Sequence, residues 1–383
     1  MRAFLTILLL FGLPVSVLAG GASQRERRIL YNFDGDSCMW TRAGSKEPVA
    51  INVDDLKKLI DEIAYDGSQV DTMLVCISAQ VMYYPTTVGT MRGTLTAPEE
   101  RGKWRASEQQ RFKNMERLFN AGIDPYATML AEAQKRGLEA LLTFRMNDAH
   151  GNDFLRTKFW EDHPEFRLKG GALDFGHEEV REYVFRLIDE AVQRYDCDGI
   201  ELDFQRFPTY FADGTSEDWV TKINSLVERV RKMVNAVGKE RGRKLLLAAR
   251  IPSDYGKSPP SYEKSLEIGC DPVAWARNDW VDFLVVTEFY IQRYDLPIAP
   301  WKALITKVPV YGSIECTEAG SGIENWLTAE KYRRAAKHLW ADGADGIYLF
   351  NFFTCREKGE VAREPPFEVL AEIGDRDGML AGD

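Results

Sequence analysis

The sequence predicts a single-domain α/β chain closed into a (β/α)8, or TIM, barrel, with long loops after its second and third strands. Three observations predict it. Eight strand-like apolar runs alternate with stretches of helical periodicity. No linker, internal repeat or low-complexity tract divides the 383 residues. The segment after the first strand, Asn32-Phe33-Asp34-Gly35-Asp36, is not the glycine-rich phosphate turn of an open doubly wound sheet. Repeated strand–helix units imply a parallel sheet. Eight of them imply closure, and such barrels typically run to ~250 residues and grow by insertion.

The elements follow in chain order. Arg2, the apolar run Phe4–Leu18 and the small-residue end Val17-Leu18-Ala19 read as a signal peptide over residues 1–19, cut near Gly20. That run is too short to favour a membrane span, so the remainder is expected to be exported, periplasmic or secreted, and not inserted in a membrane. The barrel is expected over residues 28–375. Its first strand is Ile29–Asp34, followed by a helix over Val53–Tyr65 with Leu56, Leu59, Ile60 and Ile63 on one face. The second strand is Thr72–Ser78. The loop 79–106 after it holds Tyr83, Tyr84 and Trp104. The third strand is Leu138–Asn147, and the loop 148–177 after it holds His150, Trp160, His163 and Asp174. The aromatics of both loops fit either sugar-stacking platforms or packing onto the barrel. Helix Glu178–Tyr195 precedes the fourth strand, Gly199–Gln205. Helix Trp219–Glu240 leads to the fifth, Leu245–Pro252, and Tyr262–Ile268 to the sixth, Val281–Tyr290. The seventh is Val308–Glu315. Helix Ala329–Ala341 leads to the eighth, Gly346–Phe352.

The fourth strand carries the chemistry. Side chains alternate along a strand, so Ile200, Leu202 and Phe204 face one way and Glu201, Asp203 and Gln205 the other. An acidic face suits a barrel interior whose C-terminal rim binds substrate. Reading the last inward residue of the other strands by the same alternation gives Asn32 and Asp34 on the first, and Arg145 and Asn147 with the following Asp148 on the third. It gives Arg250 on the fifth, Glu288 on the sixth, Glu315 on the seventh and Asn351 on the eighth. Carboxylates converging on one rim fit glycoside hydrolysis, which uses a protonated carboxyl opposite an ionised one. Asp203 is the expected ionised member, held charged by Arg145 or Arg250. Glu288, flanked by Phe289 and Tyr290, is the expected acid, with Glu315 its competitor. Glu201, one step deeper, positions Asp203 or pairs with an arginine. Arg145, Asn147, Asp148, Gln205, Arg250, Glu315, Asn351, Asn32 and Glu201 are the expected substrate-binding set.

The net charge of −10 argues against a nucleic-acid partner, which needs a basic footprint. The charge does not by itself identify a substrate; the expected partner, from the rim carboxylates, is a carbohydrate. Only His150, His163, His177 and His338 exist, none as HxH or HExxH, so no metal or other cofactor is expected. Cys38, Cys76, Cys197, Cys270, Cys316 and Cys355 form no CxxC pair, and a disulfide among Cys38, Cys316 and Cys355 is compatible with export.

Residues Trp160–Pro208 resemble the bacterial family-10 glycosylhydrolase-like proteins. The resemblance rests on His163-Pro164-Glu165, on Leu173-Asp174-Phe175-Gly176-His177, on Val180-Arg181-Glu182-Tyr183 and on Arg194-Tyr195-Asp196-Cys197-Asp198-Gly199-Ile200-Glu201-Leu202-Asp203. Ala133-Gln134-Lys135-Arg136-Gly137-Leu138-Glu139 is similar to that family's approach to its third strand. The resemblance implies a (β/α)8 barrel that hydrolyses glycosidic bonds, with an acid at Asp203. Phe204 stands where the family often has a second Asp. The same strand resembles the D-G-x-D-x-D-x-E signature of family-18 chitinase-type barrels, but Gln205 stands at its catalytic Glu, and an amide cannot donate a proton as a general acid. A catalytically inactive carbohydrate-binding barrel is accordingly the alternative, and a metal-dependent hydrolase or isomerase the weaker third class.

Overall fold

The computed structural model describes residues 25–40, 49–252, 261–288, 291, 294–318, 320, 322–357 and 361–381. The expected signal peptide lies outside them. Eight parallel strands, β1 (Ile29–Phe33), β2 (Val70–Cys76), β3 (Glu139–Arg145), β4 (Gly199–Asp203), β5 (Leu246–Pro252), β6 (Phe283–Thr287), β7 (Val310–Glu315) and β8 (Ile347–Phe350), pair in chain order. β8 returns to β1, so the sheet is a closed barrel. No helix among the described residues is long and apolar enough to cross a membrane.

Two apolar regions hold the fold. The larger lies between the strands' outer face and the surrounding helices. The smaller fills the barrel with Leu30, Leu74, Leu141, Ala248, Phe283, Val285, Tyr311, Tyr348 and Phe350. β4 contributes nothing to this plug, because its inward positions are Gly199, Glu201 and Asp203. Gly199 is required there by space: a Cβ would sit 2.4 Å from the Leu246 carbonyl oxygen. β4 thus approaches β5 closely and delivers its two acids among apolar neighbours.

The helix Val53–Asp61 opens with a capping box. The Asn52 side chain accepts from the backbone N–H of Asp54 and Asp55, and the Asp55 carboxylate accepts from the Asn52 N–H at 3.0 Å. Asn52→Ala is expected to lower stability by about 1 kcal/mol, read as a shift of the urea midpoint at unchanged slope.

Between β2 and β3 run two helices that periodicity alone does not announce, Ala106–Asn120 and Pro125–Lys135. The first has only a sparse buried face (Phe112, Met115, Leu118). The second is marked by its start signals, Pro125 in the first turn and the Asp124 carboxylate accepting from Tyr126 and Ala127. Tyr83, Tyr84 and Trp104 are buried, so the loop after β2 spends these aromatics on packing. Trp160 is half-buried and lies under the Arg167 guanidinium, 3.6 Å from its ring centroid. All six cysteines are buried free thiols, so the pairing among Cys38, Cys316 and Cys355 that export would permit is not formed. Cys316 and Cys355 share a small apolar cluster with Trp326, while the Cys38 thiol donates to the Gly35 carbonyl.

Candidate active site

Register sets the site. Arg145, Asp203 and Arg250 are Cα partners on β3, β4 and β5, so a cation, an anion and a cation stand side by side in one layer. The Asp203 carboxylate is 0% exposed. It accepts from the Gln205 backbone N–H at 2.9 Å and from Arg250 Nη1 at 3.4 Å. Arg250 is equally buried and lies over the Phe350 ring, 3.8 Å from its centroid. Its Nη2 donates to Glu315 Oε1 at 2.6 Å and to Thr287 Oγ1 at 3.0 Å. One guanidinium therefore serves two carboxyl groups from opposite sides of the barrel.

One positive charge cannot neutralise two buried carboxylates, and the surplus appears at Glu315. Burial raises its carboxyl most, Arg250 and Arg206 lower it and the Asp203 charge raises it, which together leave it at about 7. Glu315 therefore holds a proton up to near neutrality.

Glu201 lies one layer deeper. It pairs with hydroxyls rather than with an arginine: Thr143 Oγ1 at 3.1 Å and the Tyr348 hydroxyl at 2.9 Å both donate to Oε1. Burial first, and the Asp203 charge second, push it up to about 8. Its pKa is raised above the unfolded value, so its contribution to stability is complete below about 4.5 and is lost as pH rises through about 8. Glu201→Gln is expected to flatten the fall in melting temperature between pH 6 and pH 9; an unchanged fall would show that Glu201 is not its source.

The remaining expected site residues make separate contacts. Asn32 donates to Thr143 Oγ1 at 3.0 Å and so continues the Thr143–Glu201 chain. Arg145 does not touch Asp203; it binds Asp34 at 2.9 Å and Asp148 at 3.3 Å. The Asn147 amide is committed to backbone, donating to the Leu173 and Thr209 carbonyls and accepting from the Leu173 N–H, which ties the loops after β3 and β4 together. Gln205 is 1% exposed, and among the described residues neither polar atom of its amide has a partner.

Two residues correct the alternation read from sequence. On β6 the inward residues are Phe283, Val285 and Thr287, not Leu284, Val286 and Glu288. Glu288 instead lines a small pocket with Ile291, Tyr294, His338 and Leu339, on the helix side of the sheet. Its expected flanking residues, Phe289 and Tyr290, lie outside the described residues. On β8 Tyr348 and Phe350 face inward, and alternation stops at Asn351, whose φ is +53°. Apart from Thr287 and the Tyr348 hydroxyl both strands are apolar on both faces, as parallel barrel strands are, so their composition sets no clear phase. Thr143, Thr287 and Tyr348, which complete the polar layers, were missed. Thr143 had a signal, since it shares the phase of Arg145 two residues on.

A cavity of about 1050 Å³ lies at the other end of the barrel. Three cations along it are already paired, Arg27 with Glu139, Arg28 with Asp71 and Lys302 with Asp345. The chemistry therefore favours the Asp203–Arg250–Glu315 end.

Residues 92–221 match the model of the family described as glycosyl hydrolase-like 10, which bears out the resemblance read from the fourth-strand region. The glycosyl hydrolase YngK of Bacillus subtilis (strain 168) is 24% identical over 254 residues, 59% of this chain and 46% of that protein. The chain thus spans about half the length of this curated relative. The α-L-fucosidase isoenzyme 2 from Paenibacillus thiaminolyticus superposes with a TM-score of 0.54 at 12% identity, over 91% of this chain and 48% of that one. The glycoside hydrolase domain of PgaB (BpsB) from Bordetella bronchiseptica gives 0.54 at 12% identity, over 92% and 99%. At such identities the likeness is one of fold, and it is the barrel that the sequence predicts.

Proposed function

We propose that the chain is a glycoside hydrolase acting on a poly- or oligosaccharide, with Asp203 as the ionised carboxylate and Glu315 as the proton donor. The observation that carries this reading is the shared Arg250 guanidinium, which draws both carboxyls to one point and leaves one of them protonated near neutrality. The matched family and the glycosidase barrels of like fold support it. Glu315 takes the place given to Glu288 in the sequence reading, because Glu315 shares the barrel interior with Asp203. Asp203 accepts a backbone N–H and a guanidinium N–H, a donor set suited to a carboxylate. Gln205, with a free donor and a free acceptor, is the nearest candidate to bind a sugar substituent. Both carboxyls are buried. The leader residues 1–19 support export to the periplasm or medium, which fractionation of the expressing cell would test.

The test of function is release of reducing ends from a glycan panel by the purified chain. A second reading, a sugar-binding barrel without turnover, is favoured by Gln205 at the position of the family-18 acid. Calorimetric binding with no product on long incubation would select that second reading.

A further inference from the structure

The loop after β3 grips the loop after β4 through an imidazole. His150 Nδ1 is 2.7 Å from Asp148 Oδ1, and the His150 backbone N–H donates to the same oxygen at 3.0 Å. His150 Nε2 is 3.2 Å from Arg206 Nη2, and the ring meets the Phe207 ring edge-on at 4.9 Å. A guanidinium has only donors, so Nε2 must accept. The imidazole is then neutral, carries its proton on Nδ1 and donates it to Asp148. The other Asp148 oxygen is fixed by Arg145, which is held in turn by Asp34. Phe207 has φ +54°, a left-handed conformation that an aromatic residue adopts at a cost, so the Arg206 turn is held in place by its surroundings.

Arg206 matters because its charge reaches Glu315, where it and Arg250 are the two cations acting on that carboxyl. Arg206 also follows directly on Gln205, whose backbone N–H binds Asp203. We propose that His150 is a positioning residue: its Nδ1-protonated imidazole, bridging Asp148 and Arg206, holds the turn that leaves β4 beside the Asp203–Glu315 site. Asp148 and Arg206 face the imidazole from the two loops, and Arg145 and Asp34 stand behind Asp148. The two ring nitrogens therefore tie the loop after β3 to the loop after β4.

The clamp itself is independent of the proposed function; its kinetic consequence rests on that reading. Two measurements on the full chain separate them. Two-bond ¹H–¹⁵N spectra of the histidine-labelled protein, with His150→Gln to assign the signal, are expected to show at neutral pH an unprotonated Nε2 and a protonated Nδ1 on His150. An Nε2–H tautomer or an imidazolium there would overturn the clamp. Turnover is then followed with 4-nitrophenyl glycosides and by reducing-end release from polysaccharides. A Gln side chain can accept from Arg206 and donate to Asp148. His150→Gln is expected to keep at least about a third of kcat, whereas His150→Ala loses about tenfold in kcat with KM little changed. Equal kcat in His150→Ala and the wild type, or no rescue by His150→Gln, would refute the positioning role. If the wild type releases nothing from any glycan, the proposed function fails, and the tautomer measurement still decides the clamp.

Discussion

Asp203→Asn is expected to reduce turnover by at least about 10³-fold while leaving the fold and sugar binding largely intact. The amide keeps the shape and can still accept from the Gln205 N–H and Arg250, but it supplies no negative charge to a developing oxocarbenium ion. Glu315→Gln is the companion. It should remove the alkaline limb, which in the wild type falls as pH rises through about 7, because the proton that Glu315 donates is lost there. It should also spare aryl glycosides whose leaving groups need no proton. Glu288→Gln, on the helix side of β6, is expected to leave the pH profile in place. Rates of the three variants on one activated and one unactivated glycoside check this. Full activity in Asp203→Asn, or loss of the alkaline limb in Glu288→Gln but not in Glu315→Gln, would reassign the pair.

Arg250→Met is expected to cost about 3–5 kcal/mol, the largest effect on stability of any single site change considered. The guanidinium is 0% exposed and serves Asp203, Thr287 and Glu315 at once. Removing it leaves two buried carboxyls without the guanidinium that both of them bind. They can remain there only by taking up protons, so the loss is smallest at low pH and grows as pH rises. Glu315 sets the direction: its folded-state pKa of about 7 lies above the unfolded value of about 4.5, so its neutral form supports the fold below about 4.5 and this support is lost as pH rises through 7. Urea unfolding at pH 5 and pH 8 measures the difference. An equal loss at both would sink the account, and adding Asp203→Asn to Arg250→Met should recover part of it.

The polar layers explain why so much charge sits in a barrel that is otherwise plugged by leucine, phenylalanine and tyrosine. Glu201 is tolerated because Thr143 and Tyr348 donate to it and because it is protonated near neutrality. Asp203 and Glu315 are tolerated because Arg250 is buried with them. None of these groups would be stable there alone, since an unpaired buried charge costs several kcal/mol. The interior acids therefore stand or fall as a set.

The sequence by itself determined the barrel, the acidic face of β4 and the inward phase of β1, β3, β5 and β7. Asn32 with Asp34, Arg145, Glu201 with Asp203, and Arg250 all read correctly, because a polar residue recurring every second position fixes which face is which. Seven-strand Glu315 read correctly for the same reason, following Ser313. β6 and β8 were not legible in this way. Apart from Thr287 and the Tyr348 hydroxyl they are apolar on both faces, since one face meets the plug and the other the helices, so their periodicity contains no clear phase and Glu288 was assigned one residue out of step. Only the closed barrel decided that Thr287, not Glu288, meets Arg250. Only it decided that one guanidinium would bridge β4 and β7, and that Arg145 would turn from Asp203 towards Asp34 and Asp148. These are contacts between strands far apart in the chain, and their geometry is set by register and closure rather than by any local pattern of residues.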